Sequence, residues 1–161
     1  MIVTAGVHLL EEGQQVRPLD PSNDIDADGV ARTAAEIDGA VGLVGSTTDT
    51  TAVEAALDRF GAPAVLVNNA GIVRFGPFVE LSEDDWRTTV EVNLTGTFLM
   101  AQAAARRMLQ GDGGAVVNIS SMNGVAAGPH SGAYGPTKAA IDLLTRQMAL
   151  EWAPAIRVNA V

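Results

Sequence analysis

Short apolar runs and longer amphipathic stretches alternate along this chain. Residues 64–68 form a continuous apolar run that ends in asparagine. That is the signature of a strand buried on both faces of a parallel sheet. Residues 40–45, 115–119 and 156–161 repeat the pattern, and residues 2–4 are a shorter version. Residues 15–19 are weaker, interrupted by Pro18, and suit a sheet edge. Between these runs the period changes to that of a helix. Val30, Ala34 and Ile37 share a face over residues 29–38, and Val53, Ala56, Leu57 and Phe60 share one over residues 51–60. Thr51 with Glu54 predicts a capping box for the latter, and Gly61 its end. Ser82 with Asp85 predicts a second box, opening one long helix over residues 83–109 that stops at the glycines of 111–114. A further helix is predicted over residues 133–152. Alternating strands and helices predict an α/β fold, a parallel sheet covered by helices, in a single domain over residues 1–161.

Composition narrows the partners. A chain of 161 residues buries about two-thirds of its unfolded surface, enough for one core. The net charge of -9 argues against nucleic acid, which needs a basic face. No apolar run approaches the length of a membrane span. Residues 1–6 lack the basic start of a secretory signal. The chain has no cysteine, hence no disulfide and no thiolate site, which fits a cytoplasmic enzyme. With two histidines, His8 and His130, and no clustered ligands, no metal site is expected. Trp86 and Trp152 read as packing residues, and His130 as a loop residue.

The only tyrosine and the only lysine of the chain stand four residues apart, in Tyr134-Gly-Pro-Thr-Lys138. On a helix, positions i and i+4 share a face one turn apart. An ammonium there favours the tyrosinate over the phenol. Free tyrosine has a pKa of about 10, so acid/base work near neutrality needs a shift of roughly 3 units, or about 4 kcal/mol. One positive charge in a partly dry cleft supplies much of that. Gly135 and Pro136 fit the first turn of such a helix.

The surroundings of this pair add a pattern. Ser121 precedes Tyr134 by 13 residues, at the end of Ala-Val-Val-Asn-Ile-Ser-Ser, and Asn93 precedes Ser121 by 28, in Val-Asn-Leu-Thr-Gly-Thr-Phe. Asn68-Asn69-Ala70-Gly71 follows the apolar run at 64–67, and residues 157–161 read Arg-Val-Asn-Ala-Val. Together these closely resemble the short-chain dehydrogenase/reductase family, most specifically from about Val65 to Val161. The resemblance implies a Rossmann-like doubly wound parallel sheet, a three-layer α/β/α architecture, here incomplete at both ends. It implies an NAD(P)-dependent oxidoreductase that moves a hydride between a secondary alcohol and a ketone. Tyr134 would be the general acid/base. Ser121 would orient the substrate oxygen and stabilise its developing charge. Lys138 would lower the Tyr134 pKa and hold the nicotinamide ribose, and Asn93 would tie a water to the lysine. Ser120, beside Ser121, reads as a turn residue. Asn69, Ala70 and Gly71 would line the cofactor cleft, together with Tyr134 and Lys138. Such ligands sit at the carboxyl ends of the strands.

The first third departs from that pattern. The family opens with Thr-Gly-x-x-x-Gly-x-Gly, which brings backbone N–H groups to the pyrophosphate. Here the stretch from Thr4 to Gly13 is about nine residues short, and Gly6 is the only glycine left before its end. A parallel crossover needs at least about 10 residues including its helix. Weakened or absent pyrophosphate binding follows as an expectation. Asp20, closing the second predicted strand, would accept the adenosine ribose hydroxyls and favour NAD slightly over NADP. Ser46 stands where the family usually has an aspartate near the adenine. The substrate-covering segment and last strand of the family are not expected within these residues. Homo-oligomers are expected through the helices at 83–109 and 133–152. Two alternatives stay open beside the enzyme: a catalytically silent binding or assembly protein on the same fold, and a truncated gene product unable to hold cofactor tightly. Substrate identity and reaction direction are not legible.

Overall fold

The computed structural model describes residues 2–5, 35 and 46–161. The predicted strands at 15–19 and 40–45 lie outside these residues, as does the helix at 29–38 apart from Ala35, which is helical. Four strands, β1 (Ile2–Ala5), β2 (Val65–Asn68), β3 (Gly114–Asn118) and β4 (Ile156–Ala160), form a parallel sheet in that order. This sequential, all-parallel order is one half of a doubly wound sheet. The register sets Leu66 beside Val116 and Val116 beside Val158, and two residues on it sets Asn68 beside Asn118.

The described helices are α1 (Thr50–Phe60), α2 (Glu83–Val90), α3 (Gly96–Met108) and α4 (Tyr134–Trp152). Leu66, Val116, Ile156 and Val158 are buried against Val53 and Leu57 of α1, Met100, Ala101, Ala104, Ala105 and Met108 of α3, and Met148 of α4. Each valine, leucine, isoleucine or methionine side chain among these contributes about 1.5–3 kcal/mol when buried. The alanines of α3 let its backbone sit close to the strands. The alternate residues Val65, Val67, Ala115 and Val117 are only half-buried, and Arg157 is exposed. The described residues thus hold the sheet and one helical layer. Trp152 packs on the edge of the core, whereas Trp86 stays exposed on α2. Arg107 ties α3 to α1 through Glu54 at 2.6 Å.

Two sequence expectations need correction. Asp49, not Thr51, caps α1: its Oδ1 accepts from the N–H groups of Thr51 at 3.0 Å and Ala52 at 3.1 Å. The capping position needs extended backbone one residue outside the helix, and Thr51 is already inside it. Ser82 does cap α2, accepting from the Asp85 N–H at 3.0 Å. The long helix at 83–109 is not continuous. Glu91–Thr95 forms a π-helical turn between α2 and α3. Asn93, at its centre, is wholly buried and bonded to a neighbouring loop. The turn opens where Asn93 reaches out of the helix.

Candidate active site

Three segments converge at the carboxyl ends of β2 and β3. The loop after β2 carries Asn69, Ala70 and Gly71, the π turn carries Asn93, and the first turns of α4 carry Tyr134, Thr137 and Lys138. Asn93 binds them together. Its Oδ1 accepts from the Ile72 N–H at 2.7 Å, and its Nδ2 donates to the Ile72 carbonyl at 3.0 Å and to Thr137 Oγ1 at 3.1 Å. The amide thereby behaves as a strand partner for a single loop residue. Burying it without these partners would cost about 1–3 kcal/mol for each group left unmade. Thr97, at the start of α3 and one turn after Asn93, donates to the Asn93 carbonyl at 2.7 Å.

Lys138 is 3% exposed and donates to the Ile119 carbonyl at 2.6 Å. Its Nζ lies 5.4 Å from the centre of the Tyr134 ring. Burial lowers its pKa from 10.5 to about 8, with Asp142 pulling the other way. The ammonium is therefore still the main form near neutrality. A Cβ built on Gly71 would sit 3.5 Å from Asn93 Oδ1 and 3.6 Å from Lys138 Nζ. Glycine there leaves open the space directly in front of the ammonium.

Ser121 sits where β3 gives way to a 3-10 turn, Met122–Gly124, and its Oγ accepts from the Asn123 N–H at 3.1 Å. That bond leaves the hydroxyl proton for another acceptor. The turn lies directly on α4: a Cβ on Gly124 would come within 3.0 Å of the Ala139 nitrogen, and one on Gly135 within 2.9 Å of the Asn123 carbonyl oxygen. Tyr134 opens α4 beside this contact and is half-buried. Ser120 gives its backbone N–H to the Val161 carbonyl at 2.7 Å, while its buried hydroxyl has no partner among the described residues. His130 adopts φ of 59° in the loop, where its carbonyl accepts from the Gly76 N–H at 3.0 Å.

The structure thus brings together Asn93, Lys138, Tyr134 and Gly71, places Asn69 and Ala70 on the same loop, and sets Ser121 on the turn packed against α4. Gly6 and Asp20 lie outside the described residues. Ser46 is described: its hydroxyl pairs with that of Thr48 at 2.8 Å. Sequence reasoning missed Thr137, although it lies inside the Tyr-Gly-Pro-Thr-Lys segment that drew attention. It also missed a buried ladder below the site. Asn68 Nδ2 donates to Asn118 Oδ1 at 2.8 Å, and Asn118 Nδ2 to Thr145 Oγ1 at 2.9 Å. The signal was present in the two asparagines that close the runs at 64–68 and 115–118.

The short chain dehydrogenase family model matches residues 5–161. The chain belongs to the short-chain dehydrogenase family. It is 37% identical over 147 residues to D-threitol dehydrogenase of Mycolicibacterium smegmatis, covering 86% of this chain and 56% of that protein. A 3-oxoacyl-[acyl-carrier protein] reductase from Brucella melitensis with bound NAD superposes with a TM-score of 0.79 at 36% identity, covering 84% of this chain and 57% of that one. A gluconate 5-dehydrogenase from Burkholderia cenocepacia, in complex with NADP and tartrate, gives 0.75 at 35% identity, covering 84% and 56%. The chain spans about half the length of the curated relatives it matches. Family members in these structures hold either NAD or NADP. The chemistry of the residues around Lys138 is compatible with the hydroxyl-rich ribose end of such a cofactor. Gly71 leaves space before Lys138, and the ammonium keeps two protons beyond the one given to Ile119. Among the described residues no group of His, Cys, Asp or Glu is placed to hold a metal, and no helix is long and apolar enough to cross a membrane.

Proposed function

We propose that this protein is an NAD(P)-dependent oxidoreductase acting on a secondary alcohol or its ketone, with Tyr134 as general acid/base. One observation carries the reading: the single lysine is buried beneath the single tyrosine, and Asn93 fastens the helix that bears both. Burying an ammonium is costly, and the nearby Asp142 carboxylate offsets only part of that cost. A fold that keeps that cost uses the charge. Tyr134 Oη gives a proton to the ketone oxygen or takes one from the alcohol. Ser121 Oγ donates to that oxygen and holds it in line. Lys138 sets its positive charge beside the Tyr134 ring and reaches ribose hydroxyls, while Asn69, Ala70 and Gly71 wall the cleft. A bound nicotinamide supplies or accepts the hydride. NAD is favoured slightly over NADP because of Asp20, and Gly6 would be the glycine nearest the pyrophosphate. The setting is cytoplasmic.

The test is a titration of the purified protein with NADH and NADPH followed by cofactor fluorescence, then a screen of secondary alcohols. Saturable binding with turnover that disappears in Tyr134→Phe, at unchanged melting temperature, supports the reading. Undiminished turnover in Tyr134→Phe overturns the role of Tyr134. A folded protein that binds neither nucleotide supports the rival, a silent binding module. We also propose a homo-oligomer through α2–α3 and α4, supported by the exposure of Phe98, Leu143 and Leu150 on those helices. Light scattering that finds a monomer at all concentrations would sink it.

A further inference from the structure

We infer that the Thr137 hydroxyl is a positioning group for the acid/base pair, coupling the π turn that carries Asn93 to the first turn of α4. The inference rests on the function proposed for Tyr134 and Lys138. Thr137 is 2% exposed, with its hydroxyl between two partners. It accepts from Asn93 Nδ2 at 3.1 Å and donates to the Tyr134 carbonyl at 2.7 Å.

The hydrogen placement follows from counting. The Asn93 amide has two N–H groups, one given to the Ile72 carbonyl and the other to Thr137. A hydroxyl has one proton, and here it goes to the Tyr134 carbonyl, so its lone pairs face Asn93. The chain therefore runs one way, from Asn93 N–H through the Thr137 hydroxyl to the backbone of Tyr134. No apolar side chain of the same shape can replace it. Valine would leave the buried Asn93 N–H unpaired and the Tyr134 carbonyl one donor short. Serine keeps both bonds and loses only a methyl group.

Thr137 touches neither Lys138 Nζ nor the phenol oxygen in any bond the structure shows. It acts through the backbone that carries both residues. Tyr134 opens α4 and Lys138 follows Thr137 directly. Their side chains are aimed by this first turn, which has no side-chain cap to fix it. The Asn93–Thr137–Tyr134 chain instead holds this turn through the Tyr134 carbonyl and refers it to the loop at Ile72, next to Gly71. Among the described residues, the groups facing Lys138 are Tyr134 and Asp142 from its own helix, the Ile119 carbonyl from the end of β3, and the loop of Gly71.

The test reads Lys138 without any turnover, so it stands apart from the proposed reaction. The protein has one lysine, so selective 13C labelling of lysine gives a single side-chain NMR signal that titrates with Lys138 alone. The variants are Thr137→Val and Thr137→Ser, with melting temperature measured beside each. In Thr137→Val the turn loosens and water reaches the ammonium, so the Lys138 midpoint rises by about one unit toward its ordinary value. In Thr137→Ser it stays at the wild-type value. A Thr137→Val protein with lowered melting temperature but an unmoved Lys138 midpoint shows a merely structural hydroxyl and overturns the inference. So does a Thr137→Ser protein whose midpoint moves as far as that of Thr137→Val. If Thr137→Val does not fold, Thr137→Ser alone decides: a retained midpoint supports the hydroxyl, and a shifted one assigns the effect to the methyl group.

Discussion

Replacing Lys138 with methionine should stabilise the protein near neutral pH, and the gain should fade as the pH rises. The folded chain binds the Lys138 proton only up to about pH 8, whereas the unfolded chain holds it to 10.5. At 3% exposure the side chain has little solvent to screen it. The difference of about 2.5 units corresponds to about 3 kcal/mol of burial cost when both states are protonated. Between the two values the unfolded state binds more protons than the folded one, so stability rises with pH in this window. The cost is full below about pH 8 and gone above the unfolded value. Lys138→Met removes the titration altogether. It also removes the bond to the Ile119 carbonyl, a loss that does not change with pH. The slope is thus the measurement, rather than the absolute difference. Urea unfolding of both proteins should show the stability of Lys138→Met relative to wild type falling by about 2 kcal/mol between about pH 7 and 9.5. A difference that stays constant, or grows in favour of methionine, would refute the claim that Lys138 is held charged at a cost. The same variant should lose turnover, so stability and activity would move in opposite directions at one residue.

Two further outcomes test other parts of the frame. Asn93→Ala removes three side-chain hydrogen bonds and leaves Ile72 unpaired, which should cost about 3 kcal/mol in denaturant unfolding; a loss under about 1 kcal/mol would mean the loop keeps its place without the amide. Asp49→Ala should lower stability by about 1 kcal/mol while Thr51→Ala should not, since Asp49 caps α1; equal losses would restore Thr51 as the cap.

The sequence was most legible where periodicity or spacing is rigid. The apolar runs at 64–68, 115–119 and 156–161 became β2, β3 and β4 with ends displaced by a residue at most. The Tyr134 to Lys138 spacing became one helix face with the ring and ammonium together. Illegible parts had a common physical cause: they depend on contacts between distant segments. Thr137 was passed over because a threonine before a lysine in a helix is unremarkable until Asn93, 44 residues earlier, is seen to point at it. The π turn was invisible because apolar positions continue at helical spacing on both sides. The Asn68–Asn118 pair spans 50 residues and only appears once the strands are in register. Thr51 drew attention because Glu54, three residues on, completes a capping box, whereas Asp49 lacks such a partner and only backbone geometry shows that it stands just outside the helix.

The π turn at Glu91–Thr95 also sets what insertions and deletions this region accepts. It holds one residue more than a regular helix would over the same length, so α2 and α3 are out of phase by about 100°. Deleting Leu94 or Thr95 would give a smoother helix with better local geometry. The same deletion would turn the whole of α2 about its axis relative to α3. Thr89, buried on α2, would rotate toward solvent, and Asn93 would no longer face Ile72. A change that idealises the secondary structure would thus dismantle the site, and comparisons of this helix with others must keep the extra residue in place to keep their faces aligned.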